Sequence, residues 1–206
     1  DCRTCVRRAL MLVIGLTGGI ASGKSTTVSM IRDRGIPIHD ADAAVHRLMA
    51  PGGAAVAEVL AAFGTDVGAD DGGIDRQALG RLVFSAPARR DLLETLIHPR
   101  VAADRDGFLA DCRDSGADLA VLDVPLLFET GGKKLCDYTI LCAVDSDLQR
   151  VRALQRPGMT TEKLDAILAR QMPLAEKQKL ADSVIDTGAG LDAARAALDA
   201  ILDGPV

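Results

Sequence analysis

The chain has no tryptophan, one tyrosine and four phenylalanines, so aromatics make up only 2% of its 206 residues. That scarcity disfavours a base-stacking platform for single-stranded nucleic acid, and it leaves Ala, Val, Leu and Ile to fill the core. Asparagine is missing altogether, which removes the N-K-x-D motif by which a GTPase reads guanine. The L-S-G-G-Q signature of a transporter-type ATPase is also missing. No apolar stretch is long enough to span a bilayer. Arg7 and Arg8 before the apolar run Ala9 to Leu16 imitate a signal peptide, but the run is short and leads into a glycine-rich loop instead of a cleavage site. Positive charge is in deficit, 24 Lys and Arg against 29 Asp and Glu for a net charge of −5. The chain is therefore not a general polyanion binder, and any affinity for phosphate has to be local. Regular cysteine spacing is lacking as well. Cys2 and Cys5 form a C-x-x-C, yet no second pair or histidine cluster follows to complete a zinc site, so reduced thiols in a cytoplasmic protein are expected.

What is present suits one α/β domain with an insertion: 48% hydrophobic and 26% charged residues over 206 positions. Leu12 to Leu16 reads as a buried parallel strand, Thr17 to Lys24 as a glycine-rich turn, and Ser25 to Arg34 as a helix stopped by Gly35. Ile36 to His39 makes a second strand before Asp40-Ala41-Asp42. Helices are expected over 43–50, 53–63, 75–84 and 87–113, the last broken near His98-Pro99. Strands return at 119–124, 138–144 and 183–185, with helices over 147–155, 161–172 and 191–202. Five short strands alternating with helices predict a mainly parallel sheet in a three-layer α/β/α arrangement. The expected organisation is a single domain over 11–206, with a helical insertion at about 64–115, a lid at about 150–179, and residues 1–10 as an upstream extension.

Gly18-Gly19-Ile20-Ala21-Ser22-Gly23-Lys24-Ser25 matches G-x-x-x-x-G-K-[ST]. The glycines let backbone N–H groups turn inward around phosphate oxygens, and the helix that follows presents its positive N-terminus. Lys24 reaches the β- and γ-phosphates, Ser25 ligates Mg²⁺, and Thr26 continues the nucleotide-binding stretch. At this chain's residue frequencies the pattern arises by chance roughly once in 200 such chains, and here it also falls between a strand and a helix. With the GTPase and transporter motifs missing, a small-molecule kinase using ATP and Mg²⁺ is the expected class, a slowly hydrolysing switch protein its rival.

Three further groups fit a kinase. Asp40 and Asp42 follow the second strand, whose carboxyl end faces the ligand crevice of an open parallel sheet. A carboxylate there can take the proton of an attacking hydroxyl, or it can simply cap the next helix. Between Arg150 and Lys179 seven basic residues, Arg152 and Arg156 among them, face three acidic ones. That local excess fits a lid supplying cations to a transferring phosphate. Asp123, at the end of the third core strand, stands where an acid orders the Mg²⁺ shell, or is a strand-end acid, with Glu129 just beyond it.

Taken together, LTGGIASGKST from Leu16 to Thr26, HDAD with Asp40 and Asp42, LIHPRV with His98, VPLLFET from Val124, the Arg152/Arg156 pair, ARQMP and ADSVIDTG resemble the dephospho-CoA kinase family from Met11 to about Leu202. The resemblance implies transfer of the ATP γ-phosphate to the ribose 3′-hydroxyl of dephospho-CoA, with Mg²⁺, in the last step of coenzyme A synthesis. It further implies Asp42 as general base, Lys24 as phosphate clamp, and Arg152 and Arg156 as lid arginines. His98, Pro125, Leu126, Leu127 and Glu129 would meet the substrate. Neither a nucleic-acid nor a membrane partner is expected, and the chain would be a monomer or small homo-oligomer. It departs from the family pattern at Ala21, where glycine is frequent, at Pro157, where an acid is frequent, and at Thr187, where asparagine is common in the loop expected near the adenine.

Overall fold

The computed structural model describes residues 11–84 and 86–204; the extension expected over 1–10, with Cys2 and Cys5, lies outside the described residues. The chain divides into two compact units. One runs through the described residues up to Ile38 and resumes at Cys112; the other is His39–Asp111, beginning well before the insertion boundary of 64 expected from sequence.

The first unit is built on a five-stranded sheet, one edge strand of which starts at Ile38 and runs over the boundary at His39. Its strands are β1 (Leu12–Gly18), β2 (Ile38–Asp40), β3 (Leu119–Asp123), β4 (Tyr138–Ala143) and β5 (Ser183–Asp186), in the order β2-β3-β1-β4-β5. The β1–β3, β1–β4 and β4–β5 pairs are parallel, and Pro37 O, just ahead of β2, accepts from Val121 N–H at 2.9 Å. A central parallel strand has both faces covered, so β1 is apolar and buried from Val13 to Gly18 instead of alternating. Its Ile14 and Leu16 pack with Val121, Ile140, Cys142 and Ile185 from the neighbouring strands. Against them lie Val28, Met30 and Ile31 of helix α1 (Lys24–Asp33), with Ala194 and Leu198 of the C-terminal helix (Leu191–Leu202). Each fully buried Leu or Ile contributes about 1.5–3 kcal/mol, and this cluster fixes the edge from which the glycine-rich loop emerges. Gly35, at φ 73°, ends α1 as its position in the sequence predicts.

The second unit holds α2 (Ala41–Met49), α3 (Val56–Phe63), α4 (Arg76–Phe84) and most of α5 (Pro87–Asp114) around Met49, Val59, Val67, Leu79 and Ile97. Contrary to expectation, α5 is not broken at His98-Pro99 but runs as one helix of 28 residues. A proline forfeits one i→i−4 hydrogen bond. Here Leu93, Ile97 and Val101, four residues apart, all pack on the unit's core, and that stripe carries the helix through the proline. His39 is buried, with Nε2 2.8 Å from Asp104 Oδ2 and its ring tilted against Phe108.

Four more helices belong to the first unit: α6 (Ser146–Leu154), α7 (Thr161–Leu168), α8 (Leu174–Leu180) and the C-terminal α9 (Leu191–Leu202). The single helix expected over 161–172 instead stops at Leu168, and a new one starts at Leu174. Pro173, in extended geometry, is the cap of α8, and a residue preceding proline is driven out of helical geometry.

Candidate active site

The loop between β1 and α1 is shaped by close approach. A Cβ on Gly18 would stand 2.3 Å from Ser22 Oγ and 3.0 Å from the carbonyl of Cys142, and Gly23 takes a left-handed φ of 83° at the N-terminus of α1. Ala21 also has positive φ, 56°, the one non-glycine residue so disposed among the described residues. That conformation costs an L-residue roughly 1–2 kcal/mol, which explains why the departure from glycine noted in the sequence is unusual. The methyl group offsets part of that cost. Ala21 is buried, and it packs with Ala153 of α6 and Leu164 of α7.

Lys24 and Ser25 open α1. Lys24 Nζ donates to Asp123 Oδ1 at 2.6 Å, so the lysine of the loop and the acid at the end of β3 are direct partners. Asp123 is 4% exposed, whereas Ser25 and Thr26 lie exposed on the first turn of α1. No helix-end acid competes there, since the first turn of α1 contains none, and the positive end of the helix is left for an anion. Behind the loop, Cys142 donates to Thr27 Oγ1 at 3.3 Å, and burial pushes its thiol up to about 11. A thiol with that pKa is inert at neutral pH.

Arg152 is on α6 and half-buried. Its guanidinium donates to Thr187 O at 3.1 Å and to Thr187 Oγ1 at 3.3 Å. The same Thr187 hydroxyl lies 2.8 Å from Ser22 O and 3.1 Å from Ala143 O. Thr187, noticed in the sequence only as a departure in the adenine loop, thus joins the phosphate loop to the end of β4 and to Arg152. Arg156 is exposed just after α6. The basic stretch is less free than its charge count suggests. Arg150 pairs with Asp165 at 2.8 Å, Lys163 donates to Gly158 O, and Lys177 is 2% exposed and paired with Glu129 at 2.7 Å.

The segment after β3 divides by burial. Thr17 Oγ1 donates to Pro125 O at 3.0 Å, which ties the segment to β1. Leu126 is exposed, but Leu127 is 1% exposed and lies against Gly15 and Gly132, a core residue and not a surface one. Glu129 likewise faces inward: Oε1 accepts from Met172 N–H at 2.9 Å and pairs with Lys177. Burial alone would raise its pKa; the bonds from Lys177 and from Met172 N–H outweigh that and hold it below the ordinary glutamate value, so it is ionised at neutral pH. In this arrangement neither Leu127 nor Glu129 offers the substrate-facing surface expected of them.

In the His39–Asp111 unit, Asp40 Oδ1 accepts from Ala43 N–H at 2.9 Å and caps α2. Asp40 thus takes the capping role that the sequence allowed for an acid at this place. Asp42, in the first turn of α2, is exposed. His98 is exposed on α5.

A parallel sheet with a glycine-rich loop between its central strand and a helix, a loop lysine paired to a strand-end acid, and an arginine held beside the loop define a P-loop kinase. The dephospho-CoA kinase family model matches residues 12–192. A dephospho-CoA kinase of Mesorhizobium japonicum is 54% identical over 94% of this chain and 96% of its own length, and one of Rhodopseudomonas palustris is 49% identical over 94% and 95%. A crystal structure from Thermus thermophilus covers 94% of this chain and 97% of its own, at 34% identity and a TM-score of 0.81. The chain belongs to the dephospho-CoA kinase family. It is an ATP-dependent phosphotransferase that phosphorylates dephospho-CoA in the synthesis of coenzyme A.

Proposed function

We propose that the transfer is run by Lys24 and Arg152 on the phosphate being moved and by Asp42 on the ribose 3′-hydroxyl that receives it. The observation that supports this reading most is the Lys24–Asp123 pair at 2.6 Å beside an exposed Ser25. A lysine, an acid and a hydroxyl then stand together at the positive end of α1, the set that a magnesium triphosphate requires. Lys24 clamps the terminal phosphates as a charge-assisted donor. Backbone N–H groups of residues 21–26 surround the remaining oxygens.

Mg²⁺ fits this donor set. Among the described residues no group of three or more His, Cys, Asp or Glu side chains stands ready for a metal. A hard cation that keeps waters and leans on substrate phosphates needs only one or two protein oxygens, here Ser25 and Asp123. When bound it would neutralise charge that develops on the phosphate oxygens.

Asp42 is the acid left for proton acceptance once Asp40 is committed to its cap. The His39–Asp111 unit receives dephospho-CoA, with exposed His98 on its surface. The 150–179 segment acts as the lid, with Arg156 at its free corner. A reducing, cytoplasmic setting suits Cys142, whose buried thiol is inert.

Arg152 supplies the experiment. Because its contacts strengthen as charge moves during transfer, Arg152→Ala lowers kcat by roughly 10²-fold while KM for ATP changes little. Arg156→Ala, at an exposed position, acts in the same direction and more weakly. Steady-state kinetics in ATP and dephospho-CoA read both. A rise confined to KM for ATP would make Arg152 a ground-state binding residue and remove it from the transfer step.

A further inference from the structure

We propose that Gln149 and Gln171 are positioning residues that hold the outer side of the phosphate loop, and that position 19 is glycine because both side chains must reach past it. The inference rests on the loop being the phosphate site of this kinase. It does not depend on the role assigned to Asp42.

Both glutamines grip one residue. Ile20 N–H donates to Gln171 Oε1 at 3.2 Å, and Ile20 O accepts from Gln149 Nε2 at 2.8 Å. An amide has one accepting and one donating end, and here the two amides satisfy opposite ends of the same backbone position. Neither bond belongs to a helix or strand, and together with the bond from Ser22 N–H to Gly19 O at 3.2 Å they shape the loop at this point.

Gly19 supplies an independent observation. A Cβ there would stand 2.8 Å from Gln149 Nε2 and 3.2 Å from Gln171 Oε1. Gly19 is not among the positive-φ residues, so an alanine there meets no backbone strain. What the position requires is space for the two amides, a different reason from that of Gly23 with its φ of 83°.

Each glutamine is rooted in a fixed element. Gln149 lies on α6, whose N-terminus is capped by Asp145 through Asp147 N–H and Leu148 N–H. Gln171 adjoins Met172, whose N–H donates to Glu129 Oε1 at 2.9 Å, and Glu129 is held by the buried Lys177 at 2.7 Å. The inward-facing acid and the buried lysine are thereby explained: they fasten the turn that presents Gln171. The residue after Ile20 is Ala21, whose strained backbone persists only where its surroundings over-determine it. The grip on Ile20 from one side and the packing of the Ala21 methyl on Ala153 and Leu164 from the other meet that condition. Loss of the grip lets the strained residue relax, and the N–H groups that follow it lose the arrangement that suits phosphate.

The test uses the full chain and reads ADP affinity by calorimetry, KM and kcat for ATP, and Tm. Gln149→Met and Gln171→Met keep length and packing but lose the polar ends. Each is expected to weaken ADP binding and raise KM for ATP by roughly 3- to 10-fold, the worth of one neutral hydrogen bond, while KM for dephospho-CoA stays at the parent value. Gly19→Ala is expected to lose a similar factor in the parent chain and less than about twofold more in the Gln149→Ala/Gln171→Ala background, since the clash it creates is then gone. ADP affinity unchanged in both methionine variants, with only Tm lowered, would reduce the glutamines to packing and overturn the proposal. So would a Gly19→Ala loss that is the same with and without the glutamines. Because ADP binding needs no acceptor, failure of the parent to phosphorylate dephospho-CoA would count against the functional reading and leave this test standing.

Discussion

Lys24→Ala is expected to abolish nearly all phosphate transfer, a loss of roughly 10³-fold or more, because a charge-assisted donor on the moving phosphate is removed where charge develops. The structure adds a consequence that the motif alone does not show. Asp123 is 4% exposed and Lys24 is its partner at 2.6 Å. Removing the lysine takes one partner from a buried carboxylate, which costs roughly 1–3 kcal/mol and lowers Tm. Asp123→Asn in the Lys24→Ala background relieves the buried charge and is expected to restore Tm without restoring transfer. Thermal unfolding and a transfer assay on the two variants separate the effects. Parent-level activity in Lys24→Ala would remove the loop from the reaction.

Asp42→Asn is expected to lower kcat by roughly 10²–10⁴-fold with ADP affinity unchanged. The substitution keeps the shape and removes the charge that would accept the hydroxyl proton late in a loose transition state. Asp42 is exposed in the first turn of α2, and Asp40, the other acid of the segment, is occupied by Ala43 N–H. A loss of only a few-fold would reduce Asp42 to orienting the acceptor. Weaker ADP–Mg²⁺ binding together with lost turnover would move it into the metal shell. Calorimetry with ADP, run beside steady-state kinetics on the same preparation, distinguishes these outcomes.

Much of this site was legible because the sequence states it locally. The phosphate loop is eight consecutive residues whose chemistry follows from glycine, lysine and serine at fixed positions. The strands show as short apolar runs because parallel strands are buried on both faces. Asp40 as a cap was one of two readings open in the sequence, and its hydrogen bond from Ala43 N–H shows the cap.

What was not legible depends on residues far apart in the chain. Nothing near Glu129 announces Lys177, and nothing near Lys177 shows that it is buried; counted with its neighbours it looks like one more cation of a basic surface. Gln171 and Gln149 are ordinary polar residues until Ile20 is found between them, more than 120 positions away in each case. Thr187 is a departure in the expected adenine loop until its hydroxyl is seen beside Ser22 O. The continuous α5 shows the same limit. A proline's local cost is visible in the sequence, whereas the stripe of Leu93, Ile97 and Val101 that overrides it acts only once the core has formed.

The central claim, ATP-dependent phosphorylation of dephospho-CoA, is tested most directly by following label from γ-labelled ATP with dephospho-CoA present and absent. Label is expected in coenzyme A, on the ribose 3′-hydroxyl, at a rate that depends on the acceptor, and its transfer stops when Mg²⁺ is chelated. Release of labelled inorganic phosphate at one rate with or without dephospho-CoA, and no labelled coenzyme A, would contradict it.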